Sequence, residues 1–259
     1  MKEVALVTGA SGGIGEDLAR LIAASGRDVV LLARGAAKLQ TLADELSNAH
    51  KISATVLSVD LSSPGAAEDV TRVLAERSIT VDMLVNNAGF GTHGAFGRDD
   101  PQKQLRGLQI NVIALTTLTR LLVPGMIERR RGRILNVAST AAFQPGPLMA
   151  VYYASKSYVL SLSLALSEET AGTGVTVTCL CPGPTRTGFQ DRAQMNQSRL
   201  FRFASVMRSA DVARVGYDAM IAGKALAIPG IANKIGAQSV RFIPRRVAAR
   251  IAGAMNADR

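Results

Sequence analysis

Seven short runs rich in Val, Leu and Ile, separated by longer stretches with helical spacing, constrain this chain more than any other feature. The runs are Val4–Thr8, Asp28–Ala33, Ala54–Asp60, Met83–Asn86, Arg133–Ser139, Val175–Cys181 and Leu226–Ile228. Their apolar residues are nearly continuous, the pattern of a strand covered on both faces. Between them lie helical stretches such as Gly15–Ser25, Ala66–Arg77, Gln102–Ile127, Tyr152–Thr170 and Asp211–Ala222, with Pro101 after Asp99-Asp100 as a helix start. Strand and helix in alternation predict an α/β chain, doubly wound, with a seven-stranded parallel sheet and helices on both faces. At 259 residues the chain suits one domain spanning 1–259. Hydrophobic residues at 47% and charged residues at 19% exclude disorder.

No continuous apolar run reaches the roughly 18 residues of a membrane span, and the N-terminus reads as a strand rather than a signal peptide. Cys179 and Cys181 lie two apart in a strand, on one face, where they do not readily bond to each other. Reduced core thiols in a cytoplasmic protein are expected, and no metal, because neither His50 nor His93 adds ligand spacing. The net charge of +10 favours phosphorylated cofactors, polyanions or an anionic membrane surface. Part of it lies at Arg129-Arg130-Arg131 with Arg133, where cations suit a helix C-terminus, and part at Arg241, Arg245, Arg246 and Arg250. No aromatic residues are interleaved with the first cluster, so no nucleic-acid partner is expected.

The first strand runs through Thr8-Gly9-Ala10-Ser11-Gly12-Gly13-Ile14-Gly15 into a helix. In that position a Gly-rich turn lets backbone N–H groups and a helix N-terminus face a pyrophosphate, which predicts a Rossmann-type dinucleotide site. Gly9, Ser11, Gly13, Ile14 and Gly15 are its candidate contacts. The second strand ends about where an acid would hold the adenosine ribose, yet Ala33 and then Arg34 stand there. A carboxylate would repel a 2′-phosphate, whereas Arg offers it a charge-assisted fork, so NADP(H) is expected in preference to NAD(H).

Tyr152 and Lys156 stand four apart at the start of a helix and share a face. An ammonium beside a phenol favours phenolate, so Lys156 is expected to bring Tyr152 below its usual value near 10. Tyr153, three from Lys156, is a rival for the same role.

With these motifs, Asp60, Asn86-Asn87-Ala88-Gly89, Asn111, Ser139, Tyr152-Tyr-Ala-Ser-Lys156 and Pro182-Gly183-Pro-Thr-Arg-Thr187 follow in order. The chain thereby resembles the short-chain dehydrogenase/reductase family, in its short one-domain form, over nearly its whole length. The resemblance implies a hydride exchanged between a nicotinamide and a small-molecule carbonyl or alcohol. It assigns Ser139 to the carbonyl, Tyr152 to proton transfer, Lys156 to the nicotinamide ribose and to tuning Tyr152, and Asn111 to a water that connects Lys156 to solvent. Asp60 and Leu61 would border the adenine, Asn87, Ala88 and Gly89 would line the cofactor, and Pro182, Gly183 and Thr187 would meet its nicotinamide end. It also implies a homodimer or homotetramer paired through Gln102–Ile127 and Tyr152–Thr170.

Residues 187–209 resemble a substrate lid, in which Phe189, Met195, Leu200, Phe203 and Met207 suit an apolar pocket and a hydrophobic substrate. His93 reads as a loop residue near that pocket. The tail, 233–259, mixes Arg with Ile235, Val240, Phe242 and Ile243, and Val247, Ile251 and Met255 recur every four residues, predicting an amphipathic helix. Docking on its own domain or a partner subunit is the expectation, an anionic membrane the alternative. An NADP-binding regulator with little turnover is the alternative to an enzyme. A sugar-nucleotide epimerase would usually be longer, and a basic binding module would leave the Ser, Tyr and Lys unaccounted for.

Overall fold

The computed structural model describes residues 2–192 and 206–257. The elements run β1 (Val4–Thr8), α1 (Gly13–Ala24), β2 (Asp28–Ala33), α2 (Ala36–His50), β3 (Ala54–Ser58), α3 (Ala66–Glu76), β4 (Met83–Asn86) and α4 (Pro101–Leu108). A π-helical turn, Gln109–Ala114, joins α4 to α5 (Leu115–Glu128), followed by β5 (Gly132–Val137), α6 (Ala150–Glu169), β6 (Val175–Leu180) and β7 (Thr185–Arg186). The one-turn helix α7 (Phe189–Arg192), β8 (Met207–Arg208), α8 (Ser209–Ile221), β9 (Leu226–Ala227), α9 (Ile231–Ser239) and α10 (Arg245–Asn256) complete the order.

Seven strands form one sheet, β3-β2-β1-β4-β5-β6-β9, parallel throughout, in register Val4↔Asp28 for β1 with β2 and Ala5↔Met83 for β1 with β4. The order reverses between β1 and β4, which opens a crevice beyond their C-terminal ends. Period-2 alternation divides the core. Ala5, Val7, Leu31 and Val85 pack one face with Leu18, Ile22, Leu39 and Val212 of α1, α2 and α8. Leu6, Val30, Leu32 and Leu84 pack the other with Val70, Leu74, Leu118 and Met126 of α3 and α5. Both faces are covered, so the strands read as unbroken apolar runs. β7 and β8 make a separate parallel pair outside the main sheet.

Three expectations need amendment. α2 was absent from the helices read from the sequence, although Leu39, Leu42, Ala43 and Leu46 carry the i, i+3, i+4, i+7 spacing and are buried. By length and composition Pro101–Glu128 is apolar enough to cross a membrane, with a mean hydropathy of 1.6 over an 18-residue window, which amends an expectation drawn from continuous apolar runs alone. Here it packs on the sheet through Leu115, Leu118 and Met126. The arginines after α5 serve more than its dipole. Arg131 donates to the buried carboxylate of Asp82 at 2.8 Å, Arg129 donates to the Val81 carbonyl, and Arg133 meets Glu3 at 3.2 Å. Asp82 also accepts from the Val4 N–H, so Arg131 is the counter-charge that lets a carboxylate sit beneath β1.

The tail does dock on the domain, by a different stripe. α10 buries Ala248, Ala252 and Asn256, while Val247 and Ile251 are exposed. The stripe is displaced by one residue because two alanines allow close approach and Asn256 has hydrogen-bond partners beneath it.

Candidate active site

A cleft of about 970 Å³ lies along the C-terminal ends of the strands, from Arg34 to Tyr152. Its floor begins at the Gly-rich turn. Gly9 has a φ of +67°, and a Cβ there would stand 2.8 Å from the Asn87 amide nitrogen, so only glycine fits. That nitrogen donates to the carbonyls of Thr8 and Gly9. The Thr8 hydroxyl accepts from the N–H groups of Asn87 and Ala88 and donates to Val85. Thr8 thus ties the turn to the Asn87–Gly89 segment, a role not assigned from sequence. Among the described residues no side chain caps the N-terminus of α1, and Gly12, Gly13 and Ile14 line the cleft there. Among the described residues a Cβ on Gly12 would meet nothing within 4 Å, so the N–H groups and the dipole there suit a pyrophosphate, and the pocket fits the dinucleotide.

At one end, Arg34, Lys38, Asp60 and Leu61 line the cleft, with Arg34 Nη1 4.0 Å from Asp60 Oδ2. Burial opposes ionisation of Asp60, but the Ser62 N–H and hydroxyl and the charges of Arg34 and Arg106 hold its carboxyl below the usual range. Lys38, on the first turn of α2, was not anticipated, because α2 itself was not.

At the other end, β5 delivers Ser139, which caps a 3₁₀ turn by accepting from the Ala141 N–H. α6 presents Tyr152 and, one turn on, Lys156, whose ammonium lies 5.8 Å from the Tyr152 ring centre and donates to the Val137 carbonyl at 2.7 Å. Burial raises Tyr152 to about 12, against a hydrogen bond with Ser139 that favours phenolate, and burial lowers Lys156 to about 8. This corrects the expected direction for Tyr152: desolvation outweighs the Ser139 hydrogen bond, which acts toward phenolate. A Cβ on Gly89 would stand 3.5 Å from Lys156 Nζ and 3.6 Å from Asn111 Oδ1, which brings these predicted residues together. Asn111 lies in the π-turn, its Oδ1 accepting from the Phe90 N–H and its Nδ2 donating to Phe90 O and Ser155 Oγ. Pro182, Gly183 and Thr187 line the same cleft, and Thr187 packs where a Cβ of Gly13 would be.

Tyr153 also lines the cleft, but its hydroxyl is engaged on the side of α10. Its hydroxyl donates to Asn256 Oδ1 at 3.2 Å, its ring meeting Tyr152 edge-on. Asn256 is fully buried, donates to Pro147 O at 3.0 Å, and its carbonyl oxygen lies 2.6 Å from His93 Nε2. It therefore fastens α10 to both loops beside Tyr152, and His93 is one of the fastenings. Asn256→Ala leaves a buried phenol and carbonyl without partners. The expected loss is about 2 kcal/mol, seen as a melting temperature lower by roughly 4–8 °C; an unchanged melt would contradict the clamp.

Of the expected lid residues, Phe189 lines the cleft 5.3 Å from the Tyr152 ring. Met207, in β8, packs instead against the core. Met195, Leu200 and Phe203 lie outside the described residues.

The chain matches the family described as short chain dehydrogenase over residues 3–198. It is 34% identical over 222 residues to nodulation protein G of Rhizobium sp. (strain N33), covering 84% of this chain and 85% of that protein. It is 33% identical over 186 residues to the very-long-chain 3-oxoacyl-CoA reductase of Bos taurus, covering 70% of this chain and 58% of the relative. Among solved structures it resembles a short-chain dehydrogenase from Sphingobium yanoikuyae in complex with NADPH, with a TM-score of 0.84 and 29% identity over 93% of this chain and 92% of that one. On its motifs, its fold and these matches, the chain belongs to the short-chain dehydrogenase/reductase family.

Proposed function

We propose that the protein is an NADP(H)-dependent reductase of carbonyl groups on apolar substrates, with 3-oxoacyl thioesters the class to test first. The observation that carries this reading is that Ser139, Tyr152 and, one turn along α6, Lys156 line one end of the cleft, with Arg34 and Lys38 at the other. Gly12 to Ile14 would hold the pyrophosphate, Arg34 and Lys38 a 2′-phosphate, Asp60 and Leu61 the adenine, and Asn87 to Gly89 and Thr187 the nicotinamide half. When bound, NADPH supplies the hydride.

The chain's own groups supply the rest. Ser139 Oγ and Tyr152 Oη donate to the substrate oxygen where negative charge develops. At about 12, Tyr152 is protonated throughout the neutral range and serves as the acid. Its proton moves to the substrate oxygen, and the Lys156 ammonium stabilises the phenolate left behind. Asn111 would support this chain of groups by fixing the π-turn beside Lys156, its side chain being engaged with Phe90 and Ser155. Phe189 and Met149 make the substrate wall apolar, in keeping with the substrate named for the Bos taurus relative.

The test is NADPH oxidation across 3-oxoacyl thioesters, ketones and sugars. Apolar substrates should be turned over best. The free-enzyme kcat/KM for reduction should fall as pH rises through about 8, because Lys156, already lowered from its ordinary value, loses its charge there. A preference for small polar sugars, or a rate that climbs across pH 8, would overturn the reading.

We extend the proposal to assembly and compartment. Ile113, Leu121 and Ile127 of the long helix and Tyr158 and Leu164 of α6 are exposed, a surface suited to pairing two copies. Cys179 and Cys181 are free, buried and 3.7 Å apart at sulfur, in keeping with a reducing cytoplasm.

A further inference from the structure

We infer that α9, the 3₁₀ turn Val240–Phe242 and α10 form a docking surface for an anionic lipid bilayer. Five large apolar side chains stand out in this segment: Ile231 is 77% exposed, Ile235 65% and Phe242 86%, with Val247 and Ile251 also exposed. Residues 231–257 carry five cations, Lys234, Arg241, Arg245, Arg246 and Arg250, and no carboxylate. All five are exposed. A soluble surface seldom concentrates bare isoleucine and phenylalanine in one short segment.

The charge selects the occupant. A two-fold contact with a second copy would set five cations against five, which is repulsive. A nucleic acid would call for stacking platforms, and of the five apolar side chains four are aliphatic. A bilayer with acidic headgroups satisfies both features at once. Isoleucine and phenylalanine enter the acyl boundary while arginine and lysine lay their stems along it and hold their charges among the phosphates.

The position of the surface adds a second observation. Ala232, Asn233, Gly236, Ala237 and Val240 of the same segment line the cleft, so the helix that forms its wall also carries the exposed isoleucines. Docking would hold the cleft against the membrane. The lipid contact is independent of the reductase reading, since measuring it requires no turnover.

The experiment is sedimentation of the full chain with vesicles of phosphatidylcholine alone and of phosphatidylcholine with phosphatidylserine. Binding is expected to the acidic vesicles, weakened by salt. Arg245→Gln with Arg246→Gln should reduce it by about 30-fold. Ile235→Ser with Phe242→Ser should reduce it by at least about tenfold, with melting temperature and NADPH binding unchanged in both variants. Absence of binding, equal binding to neutral vesicles, or binding that survives both variants would overturn the inference. So would a shift of the Ser variant from oligomer to monomer in analytical ultracentrifugation, which would make the patch a subunit interface.

Discussion

Tyr152→Phe is expected to lower kcat/KM for NADPH-dependent reduction by about a thousandfold while leaving NADPH affinity unchanged. A positioned general acid contributes about 10²- to 10⁴-fold, and a thousandfold corresponds to about 4 kcal/mol of transition-state stabilisation. The substitution removes the Oη that pairs with Ser139 and retains the ring that packs on Phe189 and meets Tyr153 edge-on. The loss should therefore appear in kcat, with the fold and the cofactor site intact. Tyr153→Phe is the control. It deletes the bond to Asn256 and should lower the melting temperature, with activity staying within a few-fold. If Tyr153→Phe were inactive and Tyr152→Phe active, the assignment of the acid would be reversed.

The second large effect is expected at the other end of the cleft. Arg34→Ala combined with Lys38→Ala should weaken NADPH by roughly 30- to 100-fold and leave NADH within about threefold. Charged hydrogen bonds to a phosphate contribute about 1.5–3 kcal/mol each, and here each contributes less, about 1–1.4 kcal/mol, because Arg34 is largely exposed and its charge is screened. Asp60 remains, and without Arg34 beside it its charge would further disfavour a 2′-phosphate. Titration of each cofactor by fluorescence would decide the matter. Equal weakening of both cofactors would mean that the two cations support the adenine end generally and do not read the phosphate.

Much of this was legible in the sequence because its causes are local. A strand covered on both faces must be apolar throughout, so Val4–Thr8 and Asp28–Ala33 appear as runs with the boundaries the structure has. Asp100 and Pro101 mark the start of α4, and the Asp100 carboxylate does accept from the Gln102 N–H. The site motifs lie at strand ends, where backbone geometry demands particular residues, and Gly9 is the clear case. The parts not legible depend on distance and burial. Nothing near Asn256 in the sequence indicates Tyr153, Pro147 or His93. The apolar period at Val247 and Ile251 pointed to the wrong face because the packing of Ala248 and Ala252 rests on size, which a hydrophobic pattern does not register. The pKa of Tyr152 is raised because its desolvation on the cleft wall is a property of the folded chain, whereas its spacing from Lys156 is not.

The Asn256 clamp has a kinetic consequence. Its three bonds join residues 103, 109 and 163 positions apart, among the most costly closures for a chain to make. The Gly-rich turn and the Arg34 end of the cleft, by contrast, stand on β1, β2 and β3, successive strands that pair in the registers Val4↔Asp28 and Val29↔Ala54. Contacts of long range form late when their closure entropy must be met first. The folding chain should therefore become competent to hold the dinucleotide before the loops beside Tyr152 are set, and the cofactor would then bind a scaffold whose substrate side is still being assembled.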